Sequence, residues 1–535
     1  MITIAGRHRS VSFWMGVVLC VLATAPLSAR ADPAHKIVHT DRGPVRGITT
    51  PSVFKFLGIP YASAPQGDLR FRPPQPHDRW LTPLDGTAFG NACPQAASLT
   101  NFGAASVNED CLFLNVYVPR GEERDAEEEG EGRPVMVFIH GGGLIEGVSN
   151  PYDPGRVAAQ GVIVVTINYR LGILGFLTHP ALTAESSAHA SGNYGLLDQQ
   201  FALWWVQRNI ARFGGDPDNV TLFGESAGGL SVHANLASPS AAGLFHKAIV
   251  ESGAYSLTQP TLAAAEALGT AVASFAGCGS QTAACLRSLP VTTILAVQSV
   301  AVPSVLPTAD GVVLPQSIGA AFASGQFNRV PVIEGSNHDE WRFFVAITEI
   351  QTGAPLSAAG YVPAIAATLG VSPSVAGFLG TFVYPLAAYP PPATAPSIAL
   401  GALGTDATFA CNARQVSSLL ATHVPTYQYE FNDSTAPLPP GVSVSFPGGS
   451  YHSAELQYLF EFTGYPQNED QRRLSGAMIG YWTRFARTGN PNGGTAPAWP
   501  RYGAGDQFQS LEAPTVATKG GFSADHKCAV WGVPR

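Results

Sequence analysis

The chain has 535 residues, 45% hydrophobic and 13% charged, enough for a sizeable core in several domains or in one large α/β domain. Its formal net charge is −8, and this acidic balance argues against nucleic acid as a partner. Beyond the N-terminal segment no run approaches the roughly 18 apolar residues of a membrane helix, which argues against a stable membrane anchor.

The N-terminus has the pattern of a signal peptide. Arg7 and Arg9 supply positive charge, residues 11–27 are apolar, and Ala29-Arg30-Ala31 has the small residues of a cleavage site. We therefore predict a Sec-type signal peptide over residues 1–31, cleaved after Ala31, and a secreted or periplasmic mature protein. An uncleaved anchor is the alternative. Cleavage removes three arginines and takes the formal charge from −8 to −11.

Six cysteines remain once Cys20 is removed with the signal peptide. They are Cys93, Cys111, Cys278, Cys285, Cys411 and Cys528. An even number of cysteines in an exported chain predicts disulfides. Because six cysteines allow fifteen pairings, the count alone leaves the connectivity open.

Short β-type runs open the mature chain. Residues 36–60 alternate such runs with glycine and proline turns and predict an antiparallel sheet edge, and residues 61–110 are rich in loops. Residues 111–118 predict a strand. The acidic, glycine-punctuated insert over 121–133 that follows is interpreted as a solvated hairpin loop, and its role stays open.

Apolar strands alternate with helices from residue 135 onwards. Residues 135–139 are wholly apolar, as a central parallel strand would be, and residues 198–213 have helical spacing. Further strands are predicted over 162–167, 219–225, 248–253, 330–333 and 426–431, and mostly helical regions over 258–300 and 353–425. This alternation predicts the α/β class, with a large, mostly parallel central sheet and helices on both faces, in a single domain over residues 32–535.

The turn between the strand ending at Glu225 and the next helix carries the clearest chemical signal. Gly224-Glu225-Ser226-Ala227-Gly228 fits G-x-S-x-G, a sharp strand-to-helix turn that lifts a serine hydroxyl above the sheet. Glycines are needed there because bulk would clash with the neighbouring strand or helix. The Ala227 N–H, at the start of a helix, is free to meet a developing oxyanion. Ser226 is therefore a candidate nucleophile.

A serine nucleophile needs a base, an acid and further oxyanion donors. His140-Gly141-Gly142-Gly143 ends an apolar strand ahead of the serine, where this arrangement places glycine N–H donors. The acid and the base are expected after Ser226 in the chain. Position favours Glu340 and His452 without settling the choice. The candidate acids are Asp310, Asp339, Glu340 and Asp406, and the candidate bases are His246, His338, His423 and His452.

Two long segments, with several shorter motifs, carry a family resemblance. The long ones are residues 213–228 and 109–119; the shorter ones are Gly58-Ile-Pro-Tyr61, Arg70-Phe71, Asn168-Tyr-Arg170, residues 193–199 and residues 485–491. Over nearly all of residues 36–535 the chain resembles the type-B carboxylesterase/lipase family, the cholinesterase-like branch of the α/β-hydrolases, in a secreted form of bacterial type. The resemblance implies the α/β-hydrolase fold.

The resemblance also implies roles for individual residues. Its G-x-N-x-D-E and H-x-x-E loops match Gly335–Glu340 and His452–Glu455, which makes Glu340 the triad acid and His452 the base. Gly142, Gly143 and Ala227 match the oxyanion hole, Glu225 the acidic neighbour of the nucleophile, and Ser252 a serine close to the triad. No cofactor and no metal is implied.

Pairings follow from the resemblance in the same way. It implies the disulfides Cys93–Cys111, Cys278–Cys285 and Cys411–Cys528, and the ion pairs Arg70–Glu109 and Arg170–Asp198. Leu144 departs from the family pattern, because an aromatic residue usually follows the glycines there. This leaves the local pocket wall undefined.

The leading hypothesis is a secreted serine carboxylesterase, favoured as a monomer, that acts on small or medium uncharged esters. A lipase with a lid in loop 93–111 is the alternative, and a non-catalytic binding protein of the same fold is a third. Loop 93–111 contains one aromatic residue, Phe102, and no tryptophan, and residues 300–309 contain no aromatic. In the cholinesterases of the family that the chain resembles, a tryptophan in the first of these loops binds the choline group, and the region that resembles residues 300–309 lines the acyl pocket. We therefore expect neutral esters to be preferred over choline esters.

Overall fold

The structure, a computed structural model, describes residues 35–97, 103–120, 132–302, 305–503 and 505–532. Thirteen strands within these ranges form one sheet. They are β1 (His35–His39), β2 (Pro44–Thr49), β3 (Val53–Pro60), β4 (Leu84–Asp85), β5 (Phe113–Pro119), β6 (Arg133–Ile139), β7 (Ile163–Ile167), β8 (Gly215–Glu225), β9 (Lys247–Glu251), β10 (Val332–Asn337), β11 (Thr426–Phe431), β12 (Phe508–Leu511) and β13 (Ala517–Lys519).

The strand order across the sheet is β1-β2-β3-β5-β7-β6-β8-β9-β10-β11-β12-β13, and β4 pairs with β2. From β7 to β12 every neighbouring pair is parallel, whereas the β1 side and the last pair, β12–β13, are antiparallel. The predicted mostly parallel sheet with an antiparallel edge over residues 36–60 is therefore confirmed.

The central strands are apolar along their whole length because both faces of the sheet are covered. Along β6, Val135 and Val137 point into one core with Leu203, whereas Met136 and Phe138 point into a second core with Trp482. Each strand thus needs apolar residues at successive positions, as in a sheet with helices on both sides.

The helices begin close to where the sequence placed them. The helix predicted from residue 198 begins four residues earlier and continues as a 3-10 turn over Ile210–Phe213. The α-helices are α1 (Gly155–Ala158), α2 (Gly172–Phe176), α3 (Pro180–Glu185), α4 (Tyr194–Asn209), α5 (Ala227–Ala237), α6 (Leu262–Phe275), α7 (Ala283–Ser288), α8 (Val291–Ala301), α9 (Ile318–Ser324), α10 (Arg342–Thr352), α11 (Ala358–Leu369), α12 (Pro373–Phe378), α13 (Ala395–Gly404), α14 (Cys411–Ala421), α15 (Leu456–Leu459), α16 (Glu469–Thr488) and α17 (Phe522–Asp525).

Helices α10 to α13 form a unit with its own apolar core, built around residues such as Tyr361, Ile365 and Leu403. The proline cluster at 390–392 lies between α12 and α13 and interrupts the region predicted as mostly helical over 353–425. One π-helical turn, Leu379–Val383, continues α12 within the unit, and a second, Thr405–Ala410, connects α13 to α14. None of the described helices is both long enough and apolar enough to cross a bilayer.

The three disulfides are present with the pairing that the resemblance implied. Cys93–Cys111 and Cys278–Cys285 close short loops, whereas Cys411–Cys528 spans 117 residues and holds the C-terminal segment on α14. The acidic insert lies almost wholly outside the described residues, as do residues 1–31.

Candidate active site

The register of the sheet brings the two glycine-rich turns together. Ile139 at the end of β6 pairs with Gly224 near the end of β8, so the loop from His140 and the turn at Ser226 leave the sheet side by side. Glu225 pairs in turn with Glu251 at the end of β9, which places Ser252 next in line. Neighbouring parallel strands therefore deliver these functional segments to one edge.

The Ser226 turn is strained and closely packed. Ser226 has φ 56° and ψ −119°, a conformation that non-glycine residues rarely adopt. A Cβ at Gly228 would lie 1.9 Å from the Ile139 carbonyl oxygen, and one at Gly224 would lie 2.6 Å from the Gly228 carbonyl carbon. Because neither position has room for a side chain, both glycines of G-x-S-x-G are required by the packing.

Glu340 and His452 form a buried pair. His452 Nδ1 lies 2.6 Å from Glu340 Oε2, and both residues are almost fully buried. Glu340 Oε1 accepts hydrogen bonds from Ser252 Oγ at 2.5 Å and from the Asn337 N–H at 2.7 Å. These bonds fix the carboxylate, and the carboxylate fixes the imidazole ring.

The second ring nitrogen of His452 faces another acid. His452 Nε2 lies 3.3 Å from Glu225 Oε1. Among the described residues no hydrogen bond joins Ser226 Oγ to His452 Nε2. Catalytic hydrogen bonds are often long in the absence of substrate and tighten when it binds, so this geometry leaves His452 eligible as the base.

The loop after β6 presents backbone N–H groups. Gly142 and Gly143 have φ of 103° and 62°, and Leu144, which follows them, has φ 61°. Gly142 O accepts the N–H groups of Ile145 and Glu146, which holds the loop in shape. In the described part of the chain the N–H groups of Gly142, Gly143 and Ala227 make no hydrogen bond, so all three are available to an oxyanion. Leu144 is buried, and its carbonyl accepts the Gly172 N–H at 2.6 Å.

Buried carboxylates set the electrostatics of the site. Burial raises the pKa of Glu225 to about 7; His452 opposes this shift and Glu340 adds to it. Burial lowers the pKa of His452, but the carboxylates of Glu225 and Glu340 outweigh it, and the net shift is upward. The site therefore stabilises an imidazolium, which is the charge that a general base acquires.

An aromatic wall surrounds the imidazole of His452. The ring centroids of Phe409, Phe344 and Phe343 lie 4.9, 5.3 and 5.9 Å from that of the imidazole. Sequence reasoning missed all three. Phe343 and Phe344 come three and four residues after Glu340, which is a local signal in the sequence, whereas Phe409 comes from a distant π-helical turn and has no such signal.

The other candidate acids and bases are held in separate contacts. Asp310 accepts from Asn193 Nδ2, Asp339 pairs with Arg342, and Asp406 lies 2.6 Å from His526 Nδ1. His246 Nδ1 accepts the Val220 N–H, and His423 packs against Phe327.

The two ion pairs implied by the resemblance are present in the structure. Arg170 Nε lies 2.7 Å from Asp198 Oδ2 in the interior, and Arg70 Nε lies 2.7 Å from Glu109 Oε1. The second pair joins residues on either side of Cys93. Arg70 also donates hydrogen bonds to the carbonyls of Arg287 and Leu289. Both pairs stabilise loops around the sheet rather than the reacting groups.

A large, mostly parallel sheet with helices on both faces and a serine at such a turn define an α/β-hydrolase. A sequence model described as the carboxylesterase family matches residues 34–531. The chain is 36% identical over 504 residues to human cocaine esterase, covering 89% of this chain and 85% of the human protein. It is 35% identical over 517 residues to pyrethroid hydrolase Ces2e of Rattus norvegicus, covering 91% of this chain and 88% of the rat protein.

Acylcarnitine hydrolase of Mus musculus is 34% identical over 515 residues, which cover 90% of this chain and 88% of the mouse protein. The chain therefore belongs to the carboxylesterase family, and it is a carboxylic ester hydrolase of the serine type. Members of this family act on small ester substrates. All three relatives are named as hydrolases or esterases, in agreement with an enzyme rather than a binding protein.

Proposed function

We propose that Ser226, His452 and Glu340 are the catalytic triad of this carboxylesterase. The observation that carries the proposal is the 2.6 Å contact between His452 Nδ1 and Glu340 Oε2 beside the strained Ser226 turn. In this scheme Glu340 orients the ring and stabilises the imidazolium, and Ser252 holds Glu340 in place. Glu225 raises the basicity of His452.

The reaction proceeds through an acyl-enzyme. His452 Nε2 takes the proton of Ser226 Oγ while the oxygen attacks the ester carbonyl carbon. The N–H groups of Gly142, Gly143 and Ala227 bind the oxyanion, and the loss of one such donor typically costs about 10²–10³ in rate. The bond to the alcohol oxygen breaks as His452 returns the proton to the leaving alcohol. Water then repeats the cycle on the acyl-enzyme and releases the acid.

Covalent labelling tests the assignment. An organophosphate should add its mass to the peptide that contains Ser226, and Ser226→Ala should abolish the addition while the protein stays folded. Addition at any other residue of the native enzyme contradicts the proposal. Circular dichroism of the variant separates a lost nucleophile from a lost fold.

The substrates we propose are neutral aryl and alkyl esters. The names of the relatives point to three different substrates and so do not fix that of this chain. Leu144 replaces an aromatic residue at the oxyanion loop, and the described residues of 300–309 are aliphatic or small. Both features support a roomy acyl side with aliphatic walls.

Lipase activity is the second candidate, and one surface feature favours it. Residues 353–405 contain no Asp, Glu, Lys, Arg or His, although they include α11 and α12, most of whose residues are at least partly exposed. Phe378 and Phe382 in this segment are 57% and 72% exposed, with ring centroids 5.4 Å apart. An uncharged surface with exposed aromatic rings suits contact with an emulsified ester. Interfacial activation on emulsified triglyceride separates a lipase from an esterase.

The proposed compartment is an oxidising one outside the cytoplasm. Three disulfides fit an oxidising compartment. We further propose that residues 1–31 are a cleaved signal peptide and that residues 32–535 form one domain. N-terminal sequencing of the exported protein checks the first point by giving Asp32 as the first residue.

A further inference from the structure

A cluster of histidine and carboxylate side chains lies beside the Glu340 loop and has no part in the triad chemistry. His338 precedes Glu340 by two residues, and Asp525 and His526 come from the end of α17. One potential ligand atom from each of these three side chains lies within 4.8 Å of the other two. His338 Nε2 and Asp525 Oδ2 are 3.4 Å apart, close to the edge of about 3.3 Å in a tetrahedron with bonds of 2.0–2.1 Å to a metal.

Each histidine is already oriented by a carboxylate behind it. His338 Nδ1 lies 3.1 Å from Asp339 Oδ1, and His526 Nδ1 lies 2.6 Å from Asp406 Oδ1. In metal sites the ring nitrogen that does not bind the metal usually donates to such a group. Asp406 is fixed in turn by the Tyr384 hydroxyl, which donates to its Oδ2 at 2.8 Å. The groups that typically support histidine ligands are therefore in place.

The fourth position also has a candidate. His526 Nε2 lies 2.5 Å from Glu430 Oε1. A metal ion that replaces the ring proton at Nε2 needs more room than this contact gives, so Glu430 Oε1 must move to about 3.3 Å from Nε2, where its carboxylate can act as a further ligand. The cluster is open to solvent on one side, because the side chain of Asp525 is 65% exposed, while that of His526 is 3% exposed. An ion can thus enter from the surface and reach the buried imidazole of His526.

We propose that His338, Asp525 and His526 bind one divalent metal ion of the Zn²⁺ type. Imidazole and carboxylate donors suit Zn²⁺, Co²⁺ and Ni²⁺, and binding releases the ring protons that the metal replaces. The ion joins the C-terminal segment, which the Cys411–Cys528 disulfide holds on α14, to the loop that carries Glu340. Its role is to hold these segments together, and it takes no part in acyl transfer.

The test uses the full mature enzyme, purified without a histidine tag and treated with EDTA. Titration with Co²⁺ should give one equivalent per chain, a visible absorption band of low-coordinate Co²⁺, and loss of that band when Zn²⁺ is added. Zn²⁺ should raise Tm, because a ligand that binds only the folded state stabilises it. Asp525→Asn and His338→Ala should each weaken Co²⁺ binding at least about tenfold.

The matched control is His39→Ala, which removes an exposed histidine of β1 far along the sheet and should leave Co²⁺ binding unchanged. The absence of a saturable Co²⁺ band in the native enzyme overturns the proposal. So does equal Co²⁺ affinity in the native enzyme and Asp525→Asn. If His338→Ala does not fold, Asp525→Asn decides alone, since it replaces an exposed carboxylate by an amide of the same shape.

Discussion

Two buried histidines of this molecule lie between pairs of carboxylates, and we propose only one of them, His452, as a catalytic base. His526 has short contacts at both nitrogens, 2.6 Å to Asp406 and 2.5 Å to Glu430. His452 has one short contact, 2.6 Å to Glu340, and its Nε2 is 3.3 Å from Glu225. A buried histidine–carboxylate pair is therefore insufficient to define a base. What distinguishes His452 is a loosely held Nε2 at the edge where the Ser226 turn leaves the sheet.

The largest expected effect is the loss of esterase activity on removing Ser226 or His452. Each of Ser226→Ala and His452→Ala should lower kcat by about 10⁴–10⁶, and the double variant should lose little more, because the triad acts as one unit. Single-turnover kinetics with p-nitrophenyl butyrate measures the effect. Multiplicative losses in the double variant would mean that the two residues do not act together.

The matching change at the other histidine should affect folding instead. His526→Ala leaves Asp406 and Glu430 buried without their partner, and breaking a buried ion pair in this way typically costs about 3–5 kcal/mol of unfolding free energy. The fraction that stays folded should keep its kcat, where active-site titration gives the concentration of folded enzyme. A loss of kcat comparable to that of His452→Ala in folded protein would erase the distinction between the two sites.

The disulfide next to His526 offers a second test of the structural site. In the chain-entropy model Cys411–Cys528, which spans 117 residues, contributes about 4–5 kcal/mol, against about 2–3 kcal/mol for Cys278–Cys285, which spans 7. Urea unfolding of the two Cys→Ala double variants compares them. A larger cost for the short loop would contradict the model, and free thiols at 411 and 528 in peptide maps would refute the pairing.

The sequence singled out His452, the proposed base, but gave no role to His526. Ser226 and the loops of Glu340 and His452 follow local rules, because a strained turn and strand ends restrict which residues can stand there. His526 received no such prediction, since its partners Asp406 and Glu430 are 120 and 96 residues away and meet it only through the fold. Phe409, part of the aromatic wall around His452, was not predicted for the same reason: it is distant in the sequence and meets His452 only through the fold.

In the fold, too, elements defined by their own residues were predicted better than elements that depend on partners distant in the sequence. The central strands β6 and β11 were predicted to within a few residues, because an apolar run, or one that alternates aromatic with polar residues, has few alternatives. The last two strands, β12 and β13, were missed: they are four and three residues long, and they pair with β11 and with β12, respectively. The long helix α16 was also missed, although Asn468 and Gln471 form a capping box at its start.

Glu225 is the group through which the basicity of His452 can be adjusted. The pKa of His452 is raised because Glu225 and Glu340 outweigh the effect of burial, and only neutral His452 can act as a base. Glu225→Gln removes one of these negative charges and so lowers the pKa of His452. The acid limb of the kcat/KM–pH profile should therefore move to lower pH. Glu469→Gln, at an exposed glutamate of α16, is the control and should leave the profile unchanged; a shift to higher pH in Glu225→Gln would contradict the assignment.

The smallest expected effect concerns the charge of the substrate. The described parts of the Cys93–Cys111 loop contain no tryptophan, and Phe102 lies outside the described residues. Phe343, Phe344 and Phe409 supply the aromatic faces packed on His452, and a cation over phenylalanine is attracted less strongly than one over tryptophan. A choline site is worth roughly 0.5–2 kcal/mol, or about 2–30-fold in kcat/KM, and this enzyme should lack most of that gain.

We therefore expect a higher kcat/KM for p-nitrophenyl butyrate than for butyrylthiocholine, each divided by its rate of alkaline hydrolysis. Moderate salt is needed because the acidic net charge attracts cations over a Debye length of about 10 Å at 0.1 M. A higher kcat/KM for the choline ester after this division would mean that aromatic residues of this enzyme form a cation site. Phe343→Leu then discriminates: if Phe343 binds the cation, this variant loses activity on the choline ester and keeps it on the neutral one. Equal losses on both esters would assign Phe343 to the packing of His452.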